Sequence, residues 1–171
     1  STTIEDFMNF FDPKKEKKSF EIKDSINEAL TILKKLIQQE NIKIKVDVPT
    51  NYKVLGVSNE LSQVIINLIQ NAKDAFISND IEDKNILITL KEDLDKKYFL
   101  LEIEDNAGGI KEENLDSIFE PYFTTKHKSQ GTGLGLFMSK MIVEKSLEGT
   151  LSHKNSENGS IFTITISNEK E

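Results

Sequence analysis

The stretch that decides the fold is NILITLKEDLDKKYFLLEIED, residues 85–105. It holds two strand-like runs, NILITLKED and KYFLLEIED. In the second, Phe99, Leu101 and Ile103 recur at every other position, the spacing that puts side chains on one face of a strand. The short connection near 94–97 predicts an antiparallel pair, because parallel strands need a long crossover. Upstream, residues 58–78 carry apolar side chains at helical spacing, and IKIKVDV (42–48) alternates strictly until Pro49 stops it. Before that, Ile26, Ala29, Leu30, Leu33, Leu36 and Ile37 make an amphipathic helix to about Glu40. Asp24-Ser25 offers it an N-cap, with Glu28 completing a capping box, and Phe20 and Ile22 suggest a short preceding strand. Downstream, an irregular stretch at 106–132 contains one short helix around 111–119, and a further helix spans 133–148. GTLSHKNS and GSIFTITIS close the chain as a strand pair turning at 157–159. This order predicts an α/β (α+β) two-layer sandwich, a mixed and largely antiparallel sheet with helices packed on one face.

Composition narrows the function classes. The chain has 171 residues, enough for one continuous core, and its formal charge of −7 argues against a nucleic-acid clamp or a polybasic membrane binder. No apolar run approaches the roughly 18 residues of a membrane span, and STTIEDFMNFF does not read as a signal peptide. The absence of cysteine removes disulfides and thiolate chemistry and fits a reducing compartment. All 22 basic residues are lysine, so no guanidinium fork is available within the chain. Ile4, Phe7, Met8 and Phe11 sit at helical spacing before Pro13, and KKEKK (14–18) reads as a solvated linker.

Three segments carry chemistry. On a helical wheel at about 100° per residue, Glu60, Gln63, Asn67, Asn71 and Asp74 fall within an arc of about 80°. As an isolated feature this is a wet helix face. Two asparagines one turn apart are costly in a helix interior, however, and aligned carboxamide and carboxylate oxygens suit a hard cation such as Mg2+. DNAGGI (105–110) puts a carboxylate at a strand end before two glycines, which makes either a common turn or a hydrogen-bond acceptor with close backbone approach. GTGLGL (131–136) opens the 133–148 helix, where free amides and the positive dipole end favour an anion. Between them, IFEPYFTTKHKSQ (118–130) offers Phe119, Tyr122 and Phe123 as anchors and Thr124, Thr125, Lys126 and Lys128 as phosphate donors. His127 reads as an exposed lid residue and His153 as an ordinary strand residue.

In this order the pieces resemble the ATP-binding catalytic domain of bacterial sensor histidine kinases, within the gyrase/Hsp90/histidine-kinase/MutL superfamily. NLIQNAKDA resembles the family's asparagine box, DNAGGI and GTGLGL its two glycine boxes, and IFEPYFTTK its phenylalanine box. The NAxDA and FTTK wording looks closest to the nitrogen-regulatory subclass. The resemblance implies a Bergerat-type fold and ATP with Mg2+ as ligands. It implies that Asp105 binds the adenine amine with Gly109 against the base, that Asn71 ligates Mg2+, and that Asn67 faces the phosphates. Thr125 and Lys126 would reach the phosphates from the lid, and Gly131, Thr132, Gly133, Leu134 and Gly135 would wrap them with backbone amides. Asn67 and Lys126 are the implied catalytic pair. Two positions depart from the pattern: Ala107 stands where the family has the first glycine of DxGxG, and Asp74 where many relatives have a basic residue.

The implied function is transfer of the ATP γ-phosphoryl group to a histidine outside this chain, since neither His127 nor His153 lies in anything like a phosphoacceptor box. The alternatives are an ATP-hydrolysing conformational switch, which in relatives uses a glutamate where this chain has Asn67, and a non-enzymatic nucleotide-sensing or docking domain. Residues 1–17 are expected to be a helical stub and linker from a dimerisation domain, with 18–171 the ATP-binding domain. The implied partners are the phosphoacceptor histidine and dimerisation domain of the parent kinase and a downstream response regulator. No nucleic acid and no direct membrane contact are expected, and the implied location is cytoplasmic.

Overall fold

The computed structural model describes residues 16–50, 52–125 and 133–168. Strand β1 (Lys18–Glu21) leads into helix α1 (Ile22–Ile32), which bends at Leu33 into α2 (Lys34–Gln39). Then come β2 (Lys43–Asp47), β3 (Lys53–Gly56), the long helix α3 (Ser58–Ser78), β4 (Asn85–Glu92) and β5 (Tyr98–Asp105). A 3-10 turn (Glu112–Asn114), helix α4 (Gly135–Ser146), β6 (Thr150–Asn155) and β7 (Ser160–Ser167) complete the described chain.

Five strands form one sheet in the order β2-β4-β5-β7-β6, with only the β2–β4 pair parallel. The 85–105 stretch is the antiparallel hairpin expected, in a register that sets Ile88 opposite Ile103 and Leu90 opposite Leu101. Leu101 and Ile103 in turn face Ile164 and Phe162 of β7. These side chains are buried, and α3 lays Leu61, Ile65, Leu68, Ile69, Ala72 and Phe76 into the same core. Thr89, Glu102 and Thr163 alternate out of that layer, and Lys91 pairs with Glu102 at 3.4 Å on the wet face. The molecule is therefore two layers, as the alternation predicts.

Helix α3 has the bounds read from the sequence. It ends because Asp80 takes a left-handed conformation (φ 54°), so that Ile81 N donates to Phe76 O and Asp80 N to Ile77 O. This closure leaves Asn79 at the C-cap with its side chain pointing toward the end of β5.

Four local expectations are corrected. Ile22 is not a strand residue but the first residue of α1, fully buried, with its amide on Tyr52 O. Ser25 is not an N-cap: its hydroxyl lies 2.7 Å from Ser58 Oγ, and Ser62 Oγ donates back to Ser25 O, so the serines join α1 to α3. The 25–40 helix is divided at Leu33, where ψ relaxes to 2° while the side chain stays buried, although hydrogen bonds run through it from Ala29 to Ile37. The helix expected around 111–119 is reduced to the 3-10 turn. Strand β3, which the sequence reading lacks, pairs antiparallel with β1 as a separate two-stranded sheet. The helical pattern at 4–11, Lys126, His127, Lys128, Gly131 and Thr132 lie outside the described residues.

Candidate functional site

Helix α3, the end of β5, the segment after it and the start of α4 enclose a cleft of about 690 Å3. Asn67, Asn71 and Asp74 line one wall, so the polar stripe faces a cavity over this part of the helix. Glu60, in contrast, is buried and Gln63 is exposed. Gln63 Nε2 donates to Asn67 Oδ1 at 3.0 Å, and Asn67 Nδ2 donates to Ser139 Oγ on α4 at 3.0 Å. Asn67 thus ties the two helices together while lining the cleft. Asp74 is paired with Lys73 at 2.6 Å.

Asp105 closes one end of the cleft and is 8% exposed. Its Oδ1 accepts from Ala107 N at 2.9 Å and Ser160 N at 3.3 Å, and Oδ2 has no hydrogen bond among the described residues. Burial pushes its pKa above the ordinary value of 3.8, the two backbone donors oppose that, and Glu104 adds to it. The turn that follows is fixed from three sides. Asn79 Nδ2 donates to Ala107 O, Gly108 N donates to Asn158 O, and Asn155 Oδ1 and Nδ2 bond Ile110 N and O. Gly108 (φ 100°) and Gly109 (φ 74°) carry the left-handed geometry, while Ala107 does not, so the turn accommodates alanine there. At Gly109 a Cβ would also come within 2.7 Å of Asn155 Oδ1.

The opposite end is built from α4. Gly133 (φ 74°) lies where a Cβ would be 2.4 Å from the Tyr122 carbonyl carbon, so the segment after β5 crosses the entry to α4 at this point. Phe119 is held edge-on by Phe162 and capped by Lys140 Nζ at 5.1 Å. Phe119 and Phe123 pack on the core, whereas Tyr122, an expected anchor, is 49% exposed and its backbone lies against Gly133. Leu134 is buried at the N-cap of α4 and gives no side-chain cap, and among the described residues a Cβ on Gly135 would meet nothing within 4 Å. A helix start with no side-chain cap, beside glycines, suits an anion.

Of the expected site residues, Asn67, Asn71, Asp105, Gly109, Thr125, Gly133 and Gly135 line this one cleft, and Leu134 adjoins it. Sequence reasoning missed Asn79, Asn155 and Ser160, which meet the DNAGGI turn from distant parts of the chain. The donor set also fits a nucleotide with a hard cation. It offers a buried carboxylate oxygen at one end, a glycine-rich helix start at the other, and amide and carboxylate oxygens one turn apart between them. Among the described residues no cluster of three or more His, Cys, Asp or Glu forms a protein-only metal cage.

Residues 56–170 match the family described as histidine kinase-, DNA gyrase B-, and HSP90-like ATPase. The two-component sensor PprA of Pseudomonas aeruginosa is 35% identical over 140 residues, which is 81% of this chain and 15% of PprA. The catalytic domain of histidine kinase ThkA superposes with a TM-score of 0.75 at 29% identity, covering 90% of this chain and 98% of that domain. ThkA in complex with response regulator protein TrrA shares the fold (TM-score 0.73, 24% identity), over 98% of this chain and 47% of that one. The chain therefore spans a small part of the sensor proteins it resembles, and the matches do not single out a nitrogen-regulatory subclass. This chain belongs to the histidine kinase-, DNA gyrase B- and HSP90-like ATPase family, as a catalytic domain of the kind found in two-component sensor kinases.

Proposed function

We propose that this chain binds Mg-ATP and donates the γ-phosphoryl group to a histidine outside it. The observation that carries the reading is Asp105, a buried carboxylate that lines the cleft, with Oδ1 held by two backbone amides and no hydrogen bond to Oδ2 among the described residues. In this reading Oδ2 accepts from the exocyclic amine of adenine, and the backbone at Gly109 lies against the base. Asn71 ligates Mg2+, which neutralises phosphate charge when bound. Asn67 holds α4 at a fixed distance from α3, so that the amides at 133–135 meet the phosphates. Thr125, Lys126, Gly131 and Thr132 complete the phosphate contacts. The acceptor imidazole then forms the N–P bond as the bond to the ADP oxygen breaks, and the domain contributes positioning and charge stabilisation.

Direct hydrolysis is the weaker reading, because a carboxamide at Asn67 cannot take a proton from water. Residues 1–17 are assigned to a dimerisation domain, and a response regulator and the phosphoacceptor histidine are the expected partners, acting in the cytoplasm. Among the described residues no helix is long and apolar enough to cross a membrane. The test supplies the parent protein's histidine domain with labelled Mg-ATP and follows label on that domain. Transfer supports the reading; rapid phosphate release by the chain alone, or nucleotide binding without transfer, sinks it.

A further inference from the structure

His153 is an ordinary residue of edge strand β6 in sequence, yet it touches the site through Ser160. It lies opposite Phe162 with the two rings 4.8 Å apart, and its Nε2 is 2.8 Å from Ser160 Oγ. Ser160 and Phe162 line the cleft. No other group among the described residues bonds Ser160 Oγ. The second ring nitrogen, Nδ1, is buried with no hydrogen-bond partner.

That orphan decides where the imidazole proton sits. Burial brings the His153 pKa down to about 4, so the ring is neutral near pH 7 and carries one N–H and one lone pair. With the proton on Nδ1, a buried N–H would be left unpaired, and Nε2 would take the only hydroxyl proton of Ser160. With the proton on Nε2, only a lone pair is left unpaired, which is the smaller penalty. Ser160 Oγ then accepts from Nε2–H and keeps its own proton free.

We propose that His153 is a positioning residue whose Nε2–H makes Ser160 Oγ a hydrogen-bond donor toward the cleft, beside the acceptor Asp105. The inference rests on the nucleotide reading above. The Ser160 amide bonds Asp105 Oδ1, which sets the two groups side by side. An adjacent acceptor and donor match a purine edge that offers an amine next to a ring-nitrogen lone pair, as adenine does. Guanine offers a carbonyl next to an N–H, the reverse order. His153 therefore sharpens the choice of adenine over guanine without touching either.

Imidazole 15N NMR of the nucleotide-free chain reads the tautomer directly. Protonated Nε2 with bare Nδ1 is expected, and the reverse would overturn the proposal. Titrations with ADP and GDP give the second readout. His153→Leu is expected to weaken ADP about tenfold and GDP less, narrowing the preference, while His153→Gln restores most of the ADP affinity through its own N–H. Ser160→Ala should show the same loss, with nothing further lost when His153→Leu is added to it. Independent, additive losses would make His153 merely structural, as would a lowered melting temperature with the ADP/GDP preference intact. If His153→Leu does not fold, the tautomer and Ser160→Ala still decide the matter. A wild-type chain that binds neither nucleotide would defeat the nucleotide reading and this inference with it. ADP binding that ignores both substitutions defeats this inference alone.

Discussion

At the Asp105 end of the cleft a Cβ added to Gly159 would lie 1.9 Å from Asp105 O, whereas at the α4 end a Cβ on Gly135 would meet nothing within 4 Å among the described residues. The first end is held by Asn79, Asn155, Asn158 and Ser160, each spending a side-chain or backbone group on the DNAGGI turn. The second has glycines, a helix start with no side-chain cap and one tight crossing at Tyr122. Among the described residues one end is finished before any ligand arrives, and the other is left open for groups that bring their own charge. Preorganised donors and acceptors give selectivity, while open amides give tolerance of a bulky, hydrated anion.

The largest expected effect tests the finished end. Gly159→Ala presses a methyl group onto the Asp105 backbone, which is anchored in β5, and should cost about 3 kcal/mol in thermal unfolding. Unchanged melting would show that this end yields after all. Next, Asp105→Asn should weaken ADP and ATP alike by about 1.5–3 kcal/mol, roughly 10- to 100-fold in calorimetric titration. Asn71→Ala should remove chiefly the Mg2+-dependent part of binding. If the two variants give the same pattern with and without Mg2+, the division of the cleft into two ends is wrong.

Acidification separates the ends further. The Asp105 pKa is raised by burial, so its carboxylate loses acceptor character at a higher pH than the ordinary 3.8, and ADP affinity should begin to fall there. Stability has a different dependence. His153 is held near 4 against an ordinary 6.5, so between those values the unfolded chain binds more protons than the folded one. Stability is then lost as pH drops through that window, and His153→Leu should flatten the slope of a pH series of melting curves. The smallest effect belongs to the open end. Gly135→Ala should raise stability by about 0.5 kcal/mol, because alanine costs less in a helix and has room, while weakening Mg-ATP. A destabilised Gly135→Ala would mean that the space is not open.

What was legible in the sequence follows the periodicities. The 85–105 hairpin and the α3 bounds stand out because a half-buried strand repeats every two residues and a helix every 3.6. Asn67 and Asn71 were legible for the same reason, as costly residues stacked on one face. Strand β3 was not, because Lys53–Gly56 is too short to show a period and exists only through β1. Ser25 and Glu28 satisfy a capping pattern, yet the hydroxyls of Ser58 and Ser62 on α3 claim Ser25 instead. Asn79, Asn155 and Ser160 converge on Asp105 and its turn only after the sheet has formed, and no local spacing announces that.

The single parallel strand pair among the described residues, β2 against β4, bears on the order in which the domain assembles. Strands β4 and β5, like β6 and β7, are joined by short turns and meet at low loop-closure cost. Strand β2 reaches its neighbour only after the chain has travelled through β3 and all of α3. Its contacts are of high sequence separation, like those between β5 and β7, and such contacts are slow to form, but unlike β7 it is held along one side only. The edge carrying Lys43 and Lys45 is accordingly the last to dock and the first to leave. A kinetic study would find substitutions there speeding unfolding while leaving the folding rate nearly unmoved.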